Sequence, residues 1–151
     1  MKLSSLISQD CSKAAVLFNS KKRILEYISE LAQSQLPDSN THDILDALLS
    51  REKLGSTGIG KGIALPHGRL PGIDKVVAML LVNQQGIAFD AIDNQPVDIF
   101  VALIVPEGEN QQHLQTLATI ADKLKNKVFC KRIRQAHNDQ ELFAIIEEFD
   151  N

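Results

Sequence analysis

His67 is the residue of this chain best placed to do chemistry. It stands between Pro66 and Gly68, inside a window from Gly55 to Gly72 that holds six of the chain's eight glycines. Imidazole has an unperturbed pKa of about 6.5, so much of it is neutral and nucleophilic at neutral pH. Pro66 and Gly68 predict an exposed bend around it. A glycine-rich backbone can turn its N–H groups inward on an anion, as nests do. Ser56 and Thr57 add hydroxyl donors, and Gly58 and Gly68 are the glycines expected to present N–H groups to phosphate. Arg51 and Arg69 flank the segment, and arginine suits bidentate phosphate contacts. The alternative is an inert, hydrogen-bonded loop histidine. The glycines, hydroxyls and bases crowded around His67 favour the reactive reading.

A different phosphate motif fits less well. Gly55 to Gly60 followed by Lys61 matches the P-loop pattern until its last position, where Gly62 replaces the hydroxyl residue that binds magnesium. A P-loop also follows a strand and opens a helix, whereas here a helical pattern precedes and an extended one follows. His113 lies at the expected start of a helix, beyond the buried strand that stops at Pro106. If that strand neighbours the one ending at Pro66, the two histidines face one another; taken alone, His113 reads as a solvated helix-end residue. His42 and His137 fall in polar capping regions and take no role. No zinc spacing joins His67, His113 and a cysteine. Asp90, Asp93 and Asp98 form no catalytic pair, and no metal site is expected.

The elements that must position these residues alternate between strand and helix. Val16 to Phe18 predicts a short strand, and Ser20 caps a helix whose Ile24, Ile28 and Leu31 form one stripe. After a turn at Pro37, Thr41 caps a second helix carrying Ile44, Leu45, Leu48 and Leu49, which ends near Arg51 or Lys53. Gly62 to Leu65 reads as a short strand. Val76 to Val82 and Val97 to Val105 are apolar throughout, as strands buried on both faces are. Gly86 to Asp90 is a short strand or turn. Three helical patterns follow: Leu114 to Leu124, Val128 to Ala136, and a last one with Asn138 as cap and Glu141 at the capping-box position. The expected architecture is one α/β domain over residues 1–151, a mixed sheet with helices on both faces.

Composition narrows the function classes. The chain has 151 residues, a net charge of −3, 44% hydrophobic and 23% charged residues, and no tryptophan. This is ordinary for a globular domain and unlike the basic balance of nucleic-acid binders, so no nucleic-acid partner is expected. Cys11 and Cys130 fit free thiols in a reducing compartment. The short apolar run after Met1 does not read as a signal peptide. No stretch approaches the ~20 apolar residues of a membrane span. A cytoplasmic protein without membrane insertion is the expectation.

The segment from Arg51 to Arg69, with its glycine-rich run ending in Pro66-His67, resembles the active-site segment of enzyme IIA proteins of the bacterial phosphotransferase system, mannitol/fructose type. Phe89 to Pro106 and His113 to Leu117 resemble the nitrogen-regulatory branch of that family, and the likeness spans essentially the whole chain. It implies a mixed α/β sheet between helical layers and a phosphorylated histidine at His67, on Nε2. It implies a second site histidine at His113 and a site arginine at Arg51, with a further basic position at Arg69. The implied donor is a phosphohistidine on an HPr-like carrier, called NPr in the nitrogen branch. The implied regulated partners include kinases and potassium transport or sensor proteins. No cofactor is implied. Two other functions compete: a sugar-branch enzyme IIA that passes phosphate to a IIB transport component, and a non-enzymatic module that binds an anion in the glycine loop.

Overall fold

The computed structural model describes residues 2–108 and 110–150; residues 1, 109 and 151, and the side chains of 110 and 111, lie outside the description. Its centre is an antiparallel pair, β5 (Val77–Ile87) and β6 (Val97–Pro106), with Val77 opposite Ile104 and Val82 opposite Ile99. From Val77 to Asn83 and from Ile99 to Val105 every residue is buried. Successive strand residues point to opposite faces, so both faces of the sheet are covered. β1 (Ser12–Val16) runs parallel to β5. β3 (Ile63–Ala64) and β4 (His67–Leu70) lie end to end along the other edge of β6, both parallel to it. β2 (Gly58–Gly60) folds back antiparallel on β3. The sheet is mixed, as anticipated, in the order β1-β5-β6-β3-β2 with β4 also on β6.

Six helices among the described residues cover it: α1 (Leu3–Leu6), α2 (Lys21–Gln35), α3 (Thr41–Glu52), α4 (Asn110–Lys123), α5 (Lys127–Arg134) and α6 (Asp139–Asp150). α2 and α3 pack on each other and reach β5 and β4; α5 and α6 pack on each other and reach β1. The stripes read from the sequence are the buried faces, with Ile24 and Ile28 of α2 and Ile44 and Leu48 of α3 at 1% exposure or less. Ser20 caps α2 as expected, accepting the Arg23 N–H. Asn138 likewise accepts the Glu141 N–H at 2.8 Å, but the Glu141 carboxylate turns to His137, so the box is closed on one side only.

Several boundaries differ from expectation for local reasons. The first strand occupies Ser12–Val16 and ends before Leu17 and Phe18, because the backbone of Phe18 is taken by a side chain: its N–H donates to Asn83 Oδ1 and its carbonyl accepts from Asn83 Nδ2. Asn40, not Thr41, caps α3, accepting the Asp43 N–H at 2.8 Å. Gly86 and Ile87 belong to β5 rather than to a separate strand or turn. The glycine-rich segment is a hairpin rather than an open loop. Lys61 and Gly62, at φ 58° and 80°, form the two-residue turn between β2 and β3; a turn with both central residues at positive φ matches the twist of paired strands. A Cβ at Gly62 would sit 2.7 Å from Arg134 Nη2 and 2.9 Å from Asp98 Oδ1. Those two side chains form a two-pronged ion pair, and Arg134 also donates to the Lys61 carbonyl. At the position that spoiled the P-loop match, a side chain would therefore be strained at positive φ and would push against the Arg134–Asp98 ion pair.

Candidate active site

Pro66 has no N–H for the ladder, and it separates β3 from β4, although its carbonyl still accepts the Leu103 N–H at 3.0 Å. His67 resumes the strand immediately afterwards, opposite Leu103. The expected exposed bend is thus a strand start, and His67 is half-buried. Its Nδ1 lies 2.8 Å from the carbonyl of Leu65. A carbonyl only accepts, so Nδ1 carries the hydrogen of the neutral ring and the lone pair is left on Nε2. Burial, the strongest influence, pushes the imidazole below its usual pKa. Arg51 and Arg69 push the same way, while the Leu65 hydrogen bond and the Glu52 carboxylate pull partly back. The balance favours the neutral ring, and the Leu65 carbonyl selects one tautomer of it.

His67 lines an open cleft of about 530 Å³ together with Arg51, Arg69, His113 and the apolar side chains of Leu54, Leu103, Leu114 and Leu117. Arg51 lies in the last turn of α3, and its Nη1 donates to the Gly55 carbonyl at 2.7 Å. Arg69 follows His67 on the same face of β4, one pleat along. α4 brings His113, whose Nδ1 is buried without a hydrogen-bond partner among the described residues. The strand bearing Val97 to Pro106 does neighbour the lane containing Pro66, so the condition for the two histidines to share a site is met. α3 approaches β4 closely enough that a Cβ at Gly68 would lie 2.7 Å from the carbonyl carbon of Ala47.

Three expected phosphate ligands lie elsewhere. Ser56 donates its hydroxyl to the Phe89 carbonyl at 2.7 Å and accepts the Gly58 N–H. Thr57 is buried, and both its N–H and its hydroxyl go to Glu52 Oε1. Gly58 faces Ala91, whose Cβ would stand 2.7 Å from one added there. None of the three lines the cleft. Their polar groups hold the chain in place, and the glycines serve a hairpin and close packing rather than an anion nest. Conversely, the apolar rim escaped the sequence reading. Leu54 and Leu114 are 84% and 62% exposed, yet a leucine near a helix end reads as core until its neighbours are known. Among the described residues no group of three or more His, Cys, Asp or Glu could hold a metal, and no helix is long and apolar enough to cross a membrane.

A mixed sheet with this connectivity has counterparts among known proteins. The family model described as "Phosphoenolpyruvate-dependent sugar phosphotransferase system, EIIA 2" matches residues 5–149, and the chain belongs to that family. It is thus a phosphotransferase-system component. It is 48% identical over 149 residues to the nitrogen regulatory protein of Klebsiella oxytoca, covering 98% of this chain and 91% of that one. Its fold is similar to the nitrogen regulatory protein IIA-Ntr from Neisseria meningitidis, with a TM-score of 0.87, 30% identity and coverage of 95% and 98%. The mannitol IIA of Escherichia coli shares the fold at a TM-score of 0.72 and 18% identity, covering 93% of this chain and 98% of that one.

Proposed function

We propose that this protein is a histidine phosphocarrier of the nitrogen-regulatory type, which accepts a phosphoryl group on His67 Nε2 from an HPr-like carrier (NPr) and acts on partner proteins according to its phosphorylation state. The observation that carries the proposal is the 2.8 Å contact between His67 Nδ1 and the Leu65 carbonyl in a cleft flanked by arginines. The Nε2 lone pair attacks phosphorus as the bond from phosphorus to the donor nitrogen breaks, and the donor imidazole leaves with that electron pair. Positive charge develops on the His67 ring, and its Nδ1–H, pointed at a carbonyl, stabilises it. Phosphoryl transfer otherwise needs alignment and charge stabilisation. Arg51, His113 and Arg69, which line the same cleft, are the candidate donors to the phosphoryl oxygens.

Two histidines must meet head-on, one from each protein, and the exposed Leu54 and Leu114 offer the donor an apolar landing rim. The high identity to nitrogen regulatory proteins supports that branch over sugar transport. A partner covering His67 would compete with the carrier and would meet new negative charge after transfer. A cytoplasmic location accords with this role. The test is incubation with phosphoenolpyruvate, enzyme I and either NPr or HPr, followed by intact-mass measurement. One acid-labile phosphoryl group is expected, faster from NPr, and absent in a folded His67→Ala variant. Stoichiometric labelling of that variant would falsify the assignment; faster labelling from HPr would favour the sugar branch.

A further inference from the structure

Glu52 is an acidic residue where one is least expected. It ends α3, whose C-terminus already carries partial negative charge. It is adjacent to Arg51, in a site proposed to receive an anion, and its side chain is only 5% exposed. A buried carboxylate is costly unless fully engaged, and Glu52 is engaged on both oxygens. Oε1 collects the N–H and hydroxyl of Thr57. Oε2 lies 2.8 Å from Lys21 Nζ, an ion contact too oblique to count as a hydrogen bond. Lys21 comes from α2, sits over the Phe89 ring at 4.6 Å, and reaches the Phe89 carbonyl at 3.4 Å.

The effect of this arrangement is to close the chain between residues 52 and 57 into a fixed turn. The Gly55 N–H returns to the Glu52 carbonyl at 3.1 Å. Within that turn, the Gly55 carbonyl receives Arg51 Nη1. The guanidinium therefore takes its direction from the turn, and the turn takes its shape from Glu52. We propose that Glu52, neutralised by Lys21, is a positioning residue that holds Arg51 in the cleft for transfer to His67. This rests on the phosphocarrier reading given above. Glu52 does not touch the phosphoryl group; it acts through Thr57, Gly55 and Arg51. Its charge also offsets that of the two arginines at the imidazole.

The test has one arm without the carrier and one with it. In the free protein, the Arg51 side-chain N–H resonance is followed in wild type, Glu52→Ala, Glu52→Gln and Thr57→Val. Glu52→Ala and Thr57→Val are expected to move it and speed its solvent exchange. Glu52→Gln, which keeps an acceptor for Thr57, shifts it less. Single-turnover phosphorylation by the carrier is then measured against carrier concentration. Glu52→Ala should lower the maximal rate by about 10- to 100-fold, the penalty of a misplaced group, with the half-saturating concentration little changed. Added to Arg51→Ala it should cause no further loss, because it acts through that arginine. An unchanged Arg51 resonance in Glu52→Ala overturns the proposal, as does a loss that adds in full to that of Arg51→Ala. Should Glu52→Ala not fold, Thr57→Val is read by the same criteria. A wild-type protein that is never labelled defeats the phosphocarrier reading instead, and the first arm still decides whether Glu52 orients Arg51.

Discussion

At the scale of single residues, the cleft sets an imidazole whose neutral form is favoured beside two arginines, of which Arg51 is anchored on the Gly55 carbonyl. The His67 pKa is lowered, so its proton midpoint, followed by NMR, should fall below the ordinary value of about 6.5. A group depressed in this way is neutral in the fold at pH values where the unfolded chain is already protonated. Acceptance of phosphate should therefore persist as the pH drops to 6.5 and decline only below it; a midpoint above 6.5 would contradict the buried, neutral ring. Arg51 and His113 are expected to assist without accepting phosphate. Replacing either by alanine should slow single-turnover labelling by roughly 10- to 1000-fold, the range for removing one donor to a transition-state anion. Unchanged rates in both would remove them from the site.

Elements decide how the site is assembled. His67 is positioned by a lane of two short strands along β6, interrupted at Pro66, and by the seating of α3 on β4. That seating leaves no room for a side chain at Gly68. Gly68→Ala would set a methyl carbon 2.8 Å from the Ala47 carbonyl oxygen, which α3 can relieve only by moving away. Overpacking of this kind costs about 1–3 kcal/mol, and the displaced helix carries Arg51. The variant should lose stability in denaturant titration and also transfer phosphate more slowly. Full wild-type stability would mean that α3 adjusts freely, contrary to the close contact observed.

Across the whole molecule, the two ends of the described chain are tied together. The Asp150 carboxylate, at the end of α6, accepts the N–H groups of Leu3 and Ser4 at 2.8 and 2.7 Å. It thereby caps the first turn of α1. Burial works against its ionised form, but hydrogen bonds from Ser4 and Leu3 outweigh it and hold the group below the usual carboxylate range. Asp150→Ala is expected to cost about 1–2 kcal/mol at pH 7, as loss of a charged cap does. The contribution of a depressed carboxyl is complete above its unfolded pKa and disappears as pH falls through the folded one. The gap between variant and wild type should accordingly be full above about pH 5 and shrink in stronger acid. A gap independent of pH would show that packing, not the carboxylate, is what the variant lost.

Periodicity and chemistry along the chain were enough for the α/β class, the two central strands and the stripes of α2 and α3, and they single out His67 as the candidate on which the proposed function rests. These depend on local spacing: an apolar run too short for a helix and too uniform for one exposed face reads as a buried strand, and a histidine between proline and glycine beside arginines is a candidate by its chemistry alone. The tertiary structure alone decided what the glycines do. Seen in sequence, Gly58 belongs to an expected anion cradle and Gly62 only breaks a P-loop pattern; in the fold they admit Ala91, Arg134 and Asp98, residues thirty or more positions away. It also decided that Ser56 and Thr57 face inward, because their partners, Phe89 and Glu52, are identified only when the chain has closed. The tautomer of His67 depends on the carbonyl two residues before it, and hence on the break at Pro66. The meeting of His67 with His113 depends on β4 lying beside β6. Spacing reports which side a residue faces on its own element; which neighbour it meets there is set by long-range pairing that no local pattern contains.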